Sequence, residues 1–390
     1  MTPPVLVIGR GPAGMLAASL FCLAGVAVDL VADGAGTLPL WSGAWHFRSY
    51  DGARLLDDPW QWWADAEGHP YAAWSSQQWR EGWQTLSQVW RLAGIPTHPL
   101  PSRNWWTVSA AGTPDRAFLV PAWQYAVPAA EPVCLVGFEG LADSLADVQA
   151  VRYSRRCNLR AEVLALPSPP GWDGTWSTVR WASYLESEPG GAWLLEELTR
   201  RLAGVSDELP LLFPQVMGIR RVADILGAIT RSTGRRAYEV PALPPALGGI
   251  RIQEQWTRWL LRNGARFRSG HVDGITEDGV TWHQTQSLNG AAVVNATGGV
   301  LGGGLAIRRD GSLWETVAAR RLGGSSALGQ DGRVVTAGRQ LPGCDPDRHG
   351  DGGAVNLASA VEAVRGTLQR LGWQPARSAG EGGVGIVESH

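Results

Sequence analysis

The chain has 390 residues, 44% of them hydrophobic and 18% charged, with a formal net charge of −2. At about 150 residues per domain this length suggests two or three domains and a large core. A charge balance so near zero gives no reason to expect nucleic acid or an anionic membrane surface as a partner.

Residues 5–8, VLVI, form a β-branched run of the kind found in buried parallel strands. GRGPAG follows at 9–14, then an apolar helix over 15–24 and a second strand over 26–31. This predicts a βαβ unit within about thirty residues. The start, MTPPVLVIG, has no basic region ahead of its apolar run and does not read as a signal peptide. The apolar stretch 13–32 approaches the length of a membrane span, but Gly25 divides it and Asp29 interrupts it. It reads as a helix and a strand, with no transmembrane segment.

Twelve of the 21 Trp lie between Trp41 and Trp123, with DPWQWW at 58–63 and NWW at 104–106. This stretch predicts an irregular α+β layer in which Trp fills the core, in preference to an aromatic substrate site. Residues 133–137 read as a strand ending in GFEG, and 150–185 as hairpins rich in Arg, Ser, Pro and Trp. Helices are expected over 194–202, 219–232 and 252–262, with a proline-punctuated loop, PALPP, at 241–245. Two strands, 272–275 and 279–282, flank a Glu-Asp-Gly turn. A strand over 291–295 runs into ATGG, and another over 334–336 runs into Ala337–Gly338. The loop LPGCDPDRHGDGG then leads to a helix from 354 to about 371, and 376–390 read as a flexible tail.

The first loop fits G-x-G-x-x-G. Gly9 permits the tight turn, Gly11 lets a pyrophosphate approach the backbone, and Gly14 lets helix and strand pack closely. With Pro12 and Ala13 these residues present a helix N-terminus to phosphate. Lys is absent from the chain, so anions must be held by Arg or backbone N–H. The acid expected at the end of the second strand, for a ribose hydroxyl, is missing: Ala32 occupies its place and Asp33 follows. No Arg stands nearby, which argues against NADP. The glycine fingerprint favours a dinucleotide over FMN, and two later returns favour FAD over NAD: Ala296, Thr297, Gly298 and Gly299, then Gly338, the acidic Asp345, Gly352, Gly353 and Ala354. The last helix would aim its N-terminal dipole at an isoalloxazine ring. Four scattered cysteines, with no CxxC, exclude the usual zinc and iron–sulfur spacings and suggest a reduced, cytoplasmic protein. No metal is expected.

The sequence resembles the B subunit of anaerobic glycerol-3-phosphate dehydrogenase. The likeness is carried by SGAWHF at 42–47, CLVGFEGLADSLADV at 134–148, GRRAYEVPALPPALGGIRI at 234–252 and GCDPDRHGDGG at 343–353. The resemblance implies an FAD- or FMN-binding subunit of a complex that oxidises sn-glycerol 3-phosphate to dihydroxyacetone phosphate. It implies electron transfer towards quinone through partner subunits, and peripheral placement at the inner face of the plasma membrane through a partner. It also places Ser42 and Gly43 in a Ser-Gly loop near the cofactor. Two other readings stay open: a stand-alone flavin oxidoreductase of another alcohol or amine, and a non-catalytic flavin-binding subunit.

Hydride transfer from an alcohol needs a base for the hydroxyl proton and cations for a phosphate. His46, just after the Ser-Gly loop, and His349, in the last loop, are the base candidates; Arg251 and Arg348 are the candidate anion holders for a phosphorylated polyol. The expected architecture is α/β. A Rossmann-like FAD-binding domain with a parallel sheet is assembled from 1–50 and 285–375. An α+β substrate region, 51–284, is inserted, of which 130–150 and 250–284 are candidates to return to the cofactor domain.

Overall fold

The first strand is covered on both faces, as its unbroken aliphatic run requires. The computed structural model describes residues 3–60, 69, 71–72, 74–283, 286–317, 320–321, 333–341 and 349–373. In it β1 (Val5–Ile8) is wholly buried. α1 (Pro12–Leu23) follows, with Pro12 in its first turn, where a missing N–H costs nothing. β2 (Val28–Ala32) returns parallel to β1.

The chain then leaves this unit. Ribbon β3 (Tyr50–Asp51) and β4 (Arg54–Leu55) precedes the helix α2 (Ser76–Leu92), and β5 (Trp105–Val108) pairs antiparallel with β6 (Pro114–Ala117). α2 starts on a reciprocal cap: Ser75 Oγ accepts from Gln78 N at 3.2 Å, and Gln78 Oε1 accepts from Ser75 N at 2.8 Å. Its Trp79, Trp83, Leu86 and Trp90 are buried on one face. Phe47 meets Trp79 with ring centroids 4.9 Å apart, and Phe118 meets Trp83 at the same separation. These indoles fill the core, while Trp62 and Trp63 lie outside the described residues.

A second parallel sheet follows. β7 (Val133–Phe138), α3 (Ala146–Cys157), β8 (Ala161–Leu166), α4 (Thr178–Glu186), α5 (Glu188–Arg201), β9 (Leu211–Phe213), α6 (Val222–Thr233) and β10 (Ala237–Glu239) give the strand order β10-β9-β7-β8. The inserted region expected as α+β therefore has a parallel sheet as its main element, with the antiparallel ribbons beside it. The hairpins expected over 150–185 are not found; α3, β8 and α4 stand there. The Arg-rich texture is the solvent face of α3, whose Gln149, Ala150 and Tyr153 are buried on the other side. Nor does β7 join the first sheet.

α7 (Leu247–Arg262) lies against α1, and β11 (Arg266–Ser269) pairs parallel with β2. Asp29, buried in β2, accepts from Arg266 Nε at 2.6 Å and Arg268 Nε at 3.1 Å, which fastens this edge. An antiparallel trio, β12 (Val272–Thr276), β13 (Gly279–Trp282) and β14 (Gln286–Asn289), leads to β15 (Ala292–Asn295). After a small sheet of β16 (Leu305–Ile307), β17 (Leu313–Glu315) and β18 (Arg320–Arg321), β19 (Val334–Thr336) closes the first sheet. Its order is β11-β2-β1-β15-β19, all parallel. α8 (Gly352–Arg370) packs on α1. The parallel sheet thus carries α1 and α8 on one face and the β12–β14 trio on the other; it is a Rossmann-type α/β arrangement, whose ligands bind at the carboxyl ends of the strands. No helix among the described residues is long and apolar enough to cross a membrane. The tail 376–390 lies outside the described residues.

Candidate cofactor and active site

The carboxyl ends of β1, β2, β15 and β19 open on one cleft of about 950 Å³. Three loops distant in sequence build it. At the first, Gly9 holds φ at +107°, and a Cβ there would stand 2.3 Å from the carbonyl oxygen of Ala296. The β1 and β15 loops therefore touch through backbone. Gly14 does not line the cleft; a Cβ on it would meet the Gly9 carbonyl oxygen at 2.1 Å, so it sets how closely α1 crosses β1. Gly11, Pro12 and Ala13 do line it. Gly11 is the N-cap of α1 and offers no side chain to cap the first turn, which leaves N–H donors for an anion.

The second loop places Ala296, Thr297, Gly298 and Gly299 along the cleft. Thr297 Oγ1 donates to the buried Asn295 Oδ1 at 2.9 Å, which fixes the turn. The third brings Gly338, Gly352 and Gly353 to the same wall. Gly338 N donates to Ser359 Oγ at 2.8 Å, which ties the end of β19 to α8. The N-cap of α8, Asp351, makes no side-chain cap among the described residues, so a second helix start faces the cleft. Ala354 is buried behind this wall, and its N–H donates to His46 O at 2.9 Å. Gly353 lies so near the His46 backbone that a Cβ would stand 2.5 Å from it.

Asp33 lines the cleft beyond Ala32, exposed, with its carboxylate 3.6 Å from His271 Nδ1. Ser42 and Gly43 do not line it. Gly43 packs towards Ile252 and Pro121, and Trp41, Ala44, Trp45 and His46 take the cleft side of that loop. Asp345 and Arg348 lie outside the described residues.

Of the base candidates, His46 lines the cleft and His349 does not. His349 Nδ1 lies 3.8 Å from Asp351, a fully buried carboxylate that His69 Nε2 also approaches at 3.3 Å. Arg251 is corrected as an anion holder. Its guanidinium is buried, gives Nη1 and Nη2 to Glu239 at 2.5 and 2.9 Å, and gives Nε to Gly218 O at 2.8 Å. A charge neutralised inside the core and away from the cleft lining is out of reach of a substrate.

Several cleft residues carried no local sequence signal. Arg10 occupies a variable position of the glycine motif; its guanidinium lies 5.0 Å from the Phe267 ring, and burial lowers its pKa. Arg339 follows Gly338. Asp115 arrives on β6, from the Trp-rich insertion, and its Oδ2 lies 3.2 Å from His46 Nε2. Burial pushes the Asp115 carboxyl up, but His46, through charge and hydrogen bond, and the Arg116 N–H at 2.8 Å outweigh it, and the pKa falls below the usual carboxylate range. Only the tertiary fold brings Asp115 to His46, 69 residues away.

No protein-family model matches the chain. The curated proteins it resembles share one name, the B subunit of anaerobic glycerol-3-phosphate dehydrogenase. It is 28% identical over 351 residues to the probable B subunit of Halobacterium salinarum, covering 82% of this chain and 79% of that protein. It is 25% identical to the B subunit of Vibrio cholerae, covering 93% and 96%. Among solved structures, a 3-ketosteroid delta1-dehydrogenase from Sterolibacterium denitrificans aligns with a TM-score of 0.32 at 16% identity, over 75% of this chain and 47% of that one. The chain thus spans less than half of that enzyme. A tryptophan C-6 flavin-dependent halogenase, Tar14, aligns with a TM-score of 0.30 at 12% identity, over 97% and 73%.

Proposed function

We propose that this chain is an FAD-dependent oxidoreductase that serves as the B subunit of an anaerobic glycerol-3-phosphate dehydrogenase, oxidising sn-glycerol 3-phosphate to dihydroxyacetone phosphate. The observation that carries the flavin reading is the convergence of the Gly9, Ala296 and Gly338 loops, with the uncapped starts of α1 and α8, on one cleft. The cleft falls within the ~300–1,000 Å³ range of ligand sites. Its lining runs from Gly270 and His271, beside β11, to Gly353 of α8, beyond β19. Five strands span about 19 Å at ~4.8 Å per step, which suits a dinucleotide better than FMN. The names of the two curated relatives support the substrate and the place in a complex.

In this reading the α1 start and Gly11 hold the pyrophosphate and Asp33 the ribose. Bound flavin would supply a two-electron acceptor at the α8 end of the cleft. There His46 takes the proton of the substrate hydroxyl, and Arg339, with Arg348, holds the substrate phosphate. Electrons leave through a partner subunit towards quinone, since the cysteine spacing suits no iron–sulfur relay.

The test is the visible spectrum of the purified protein before and after anaerobic addition of glycerol 3-phosphate. A flavin spectrum that bleaches is expected. A colourless protein that FAD cannot reconstitute overturns the cofactor. Bound flavin that stays oxidised with this substrate, in the presence of the partner subunits, overturns the substrate.

A further inference from the structure

His46 is held from two sides. Its backbone abuts Gly353, and its carbonyl accepts from Ala354 N, so it is fixed to the start of α8. Trp45 N donates to Leu119 O at 2.8 Å, and Phe118 N donates to Trp45 O at 2.8 Å. This short antiparallel bridge seats the His46 loop against the chain that leaves β6. On β6 neighbouring side chains take opposite faces, as a strand requires. Arg116 points away, with its guanidinium 3.3 Å from the Trp106 ring centroid and Nε donating to Asp57 at 2.6 Å. Asp115 points the other way, lines the cleft and meets His46 Nε2. Its Oδ1 also accepts from Arg116 N at 2.8 Å, so the carboxylate is pinned from its other oxygen.

We propose that Asp115 is a positioning residue: by accepting from His46 Nε2–H it selects one tautomer and leaves His46 Nδ1 as the proton acceptor of the cleft. A neutral imidazole has one donor and one acceptor nitrogen, and the partner of the first decides which nitrogen is the second. The inference rests on the proposed alcohol oxidation. There the substrate O–H bond breaks and its proton goes to His46 Nδ1. Flavin, when bound, would supply the two-electron acceptor for the hydrogen of the adjacent C–H bond, so that the alcohol becomes a ketone. The inserted region thus supplies half of a dyad whose other half stands on the cofactor side.

The test uses the FAD-loaded protein labelled with nitrogen-15, with the His46 ring signals identified by their loss in His46→Gln. Wild type is expected to show His46 protonated on Nε2 in its neutral form. Asp115→Asn can turn an amide N–H towards that nitrogen and move the proton to Nδ1. It is expected to slow anaerobic flavin bleaching by about 10²- to 10⁴-fold, the range set by a mis-set catalytic imidazole, at unchanged FAD affinity. Asp115→Glu keeps the carboxylate and should recover most of the rate. A wild-type His46 protonated on Nδ1 overturns the proposal even if every Asp115 variant fails to fold. So does Asp115→Asn with an unchanged tautomer, or with a rate that falls only as far as its flavin content. If the Nε2 tautomer is found and glycerol 3-phosphate does not bleach wild type, the pairing stands and the substrate reading falls.

Discussion

Arg251 and Glu239 form an ion pair with both side chains wholly buried. Such a pair is held against a large desolvation penalty, so removing one partner is far worse than removing both. Arg251→Ala leaves the buried Glu239 carboxylate without its charge partner and is expected to cost about 3–5 kcal/mol. The double variant Arg251→Met, Glu239→Gln should recover a large part of this loss, as read by urea unfolding. A single variant of wild-type stability, with weakened substrate binding, would restore Arg251 to the cleft. His98 gives a pH test at the same scale. Burial lowers its pKa below the usual 6.5, against the hydrogen bond that its Nε2 makes to Gln124 O at 2.9 Å. As pH falls through 6.5 the unfolded chain takes up the proton before the native one does, so stability is lost on acidification. His98→Gln should flatten that part of the stability–pH profile while wild type declines. Parallel profiles would show that His98 does not contribute.

The glycine motif was legible because its requirements are local. Gly14 is needed where α1 crosses β1, and a Cβ there would press on backbone, 2.1 Å from the Gly9 carbonyl oxygen, with no flexible side chain to yield. Gly14→Ala is therefore expected to push α1 off the loop and weaken FAD binding at least tenfold, about 1.4 kcal/mol, in a fluorescence titration. Unchanged affinity would mean that the α1 start does not hold the cofactor. Other elements were less legible because they depend on partners. The Arg-rich run of α3 reads as a helix only once β7 gives its buried face something to cover. α2 carried a capping signal, Ser75 with Gln78, and indoles at helical spacing, yet the abundance of Trp hid the periodicity. Apolar runs such as β1 and β15 were easy to read, because burial on both faces leaves no alternation to misjudge.

At the scale of the molecule, the cleft could be anticipated as three glycine-bearing segments, but its walls could not. His271, Arg339 and Asp115 line it because strands from remote parts of the chain end there, and no spacing in the sequence records that. The same remoteness makes the cofactor a fastener. The cleft joins residues near 9, 37, 115, 271, 297, 338 and 353, so a ligand that touches most of them adds further links among segments remote in sequence. A ligand bound to the native state alone stabilises it by about 2.7 kcal/mol at a hundredfold excess over Kd. FAD added to apoprotein should therefore raise the thermal midpoint and protect the 297–303 and 349–356 segments from proteolysis together. FMN, if it occupies only the α8 end, should raise the midpoint less and leave the 33–37 segment as open as in the apoprotein. Equal shifts from FMN and FAD would show that the β2 end of the cleft holds no adenosine, and that the first glycine loop serves packing alone.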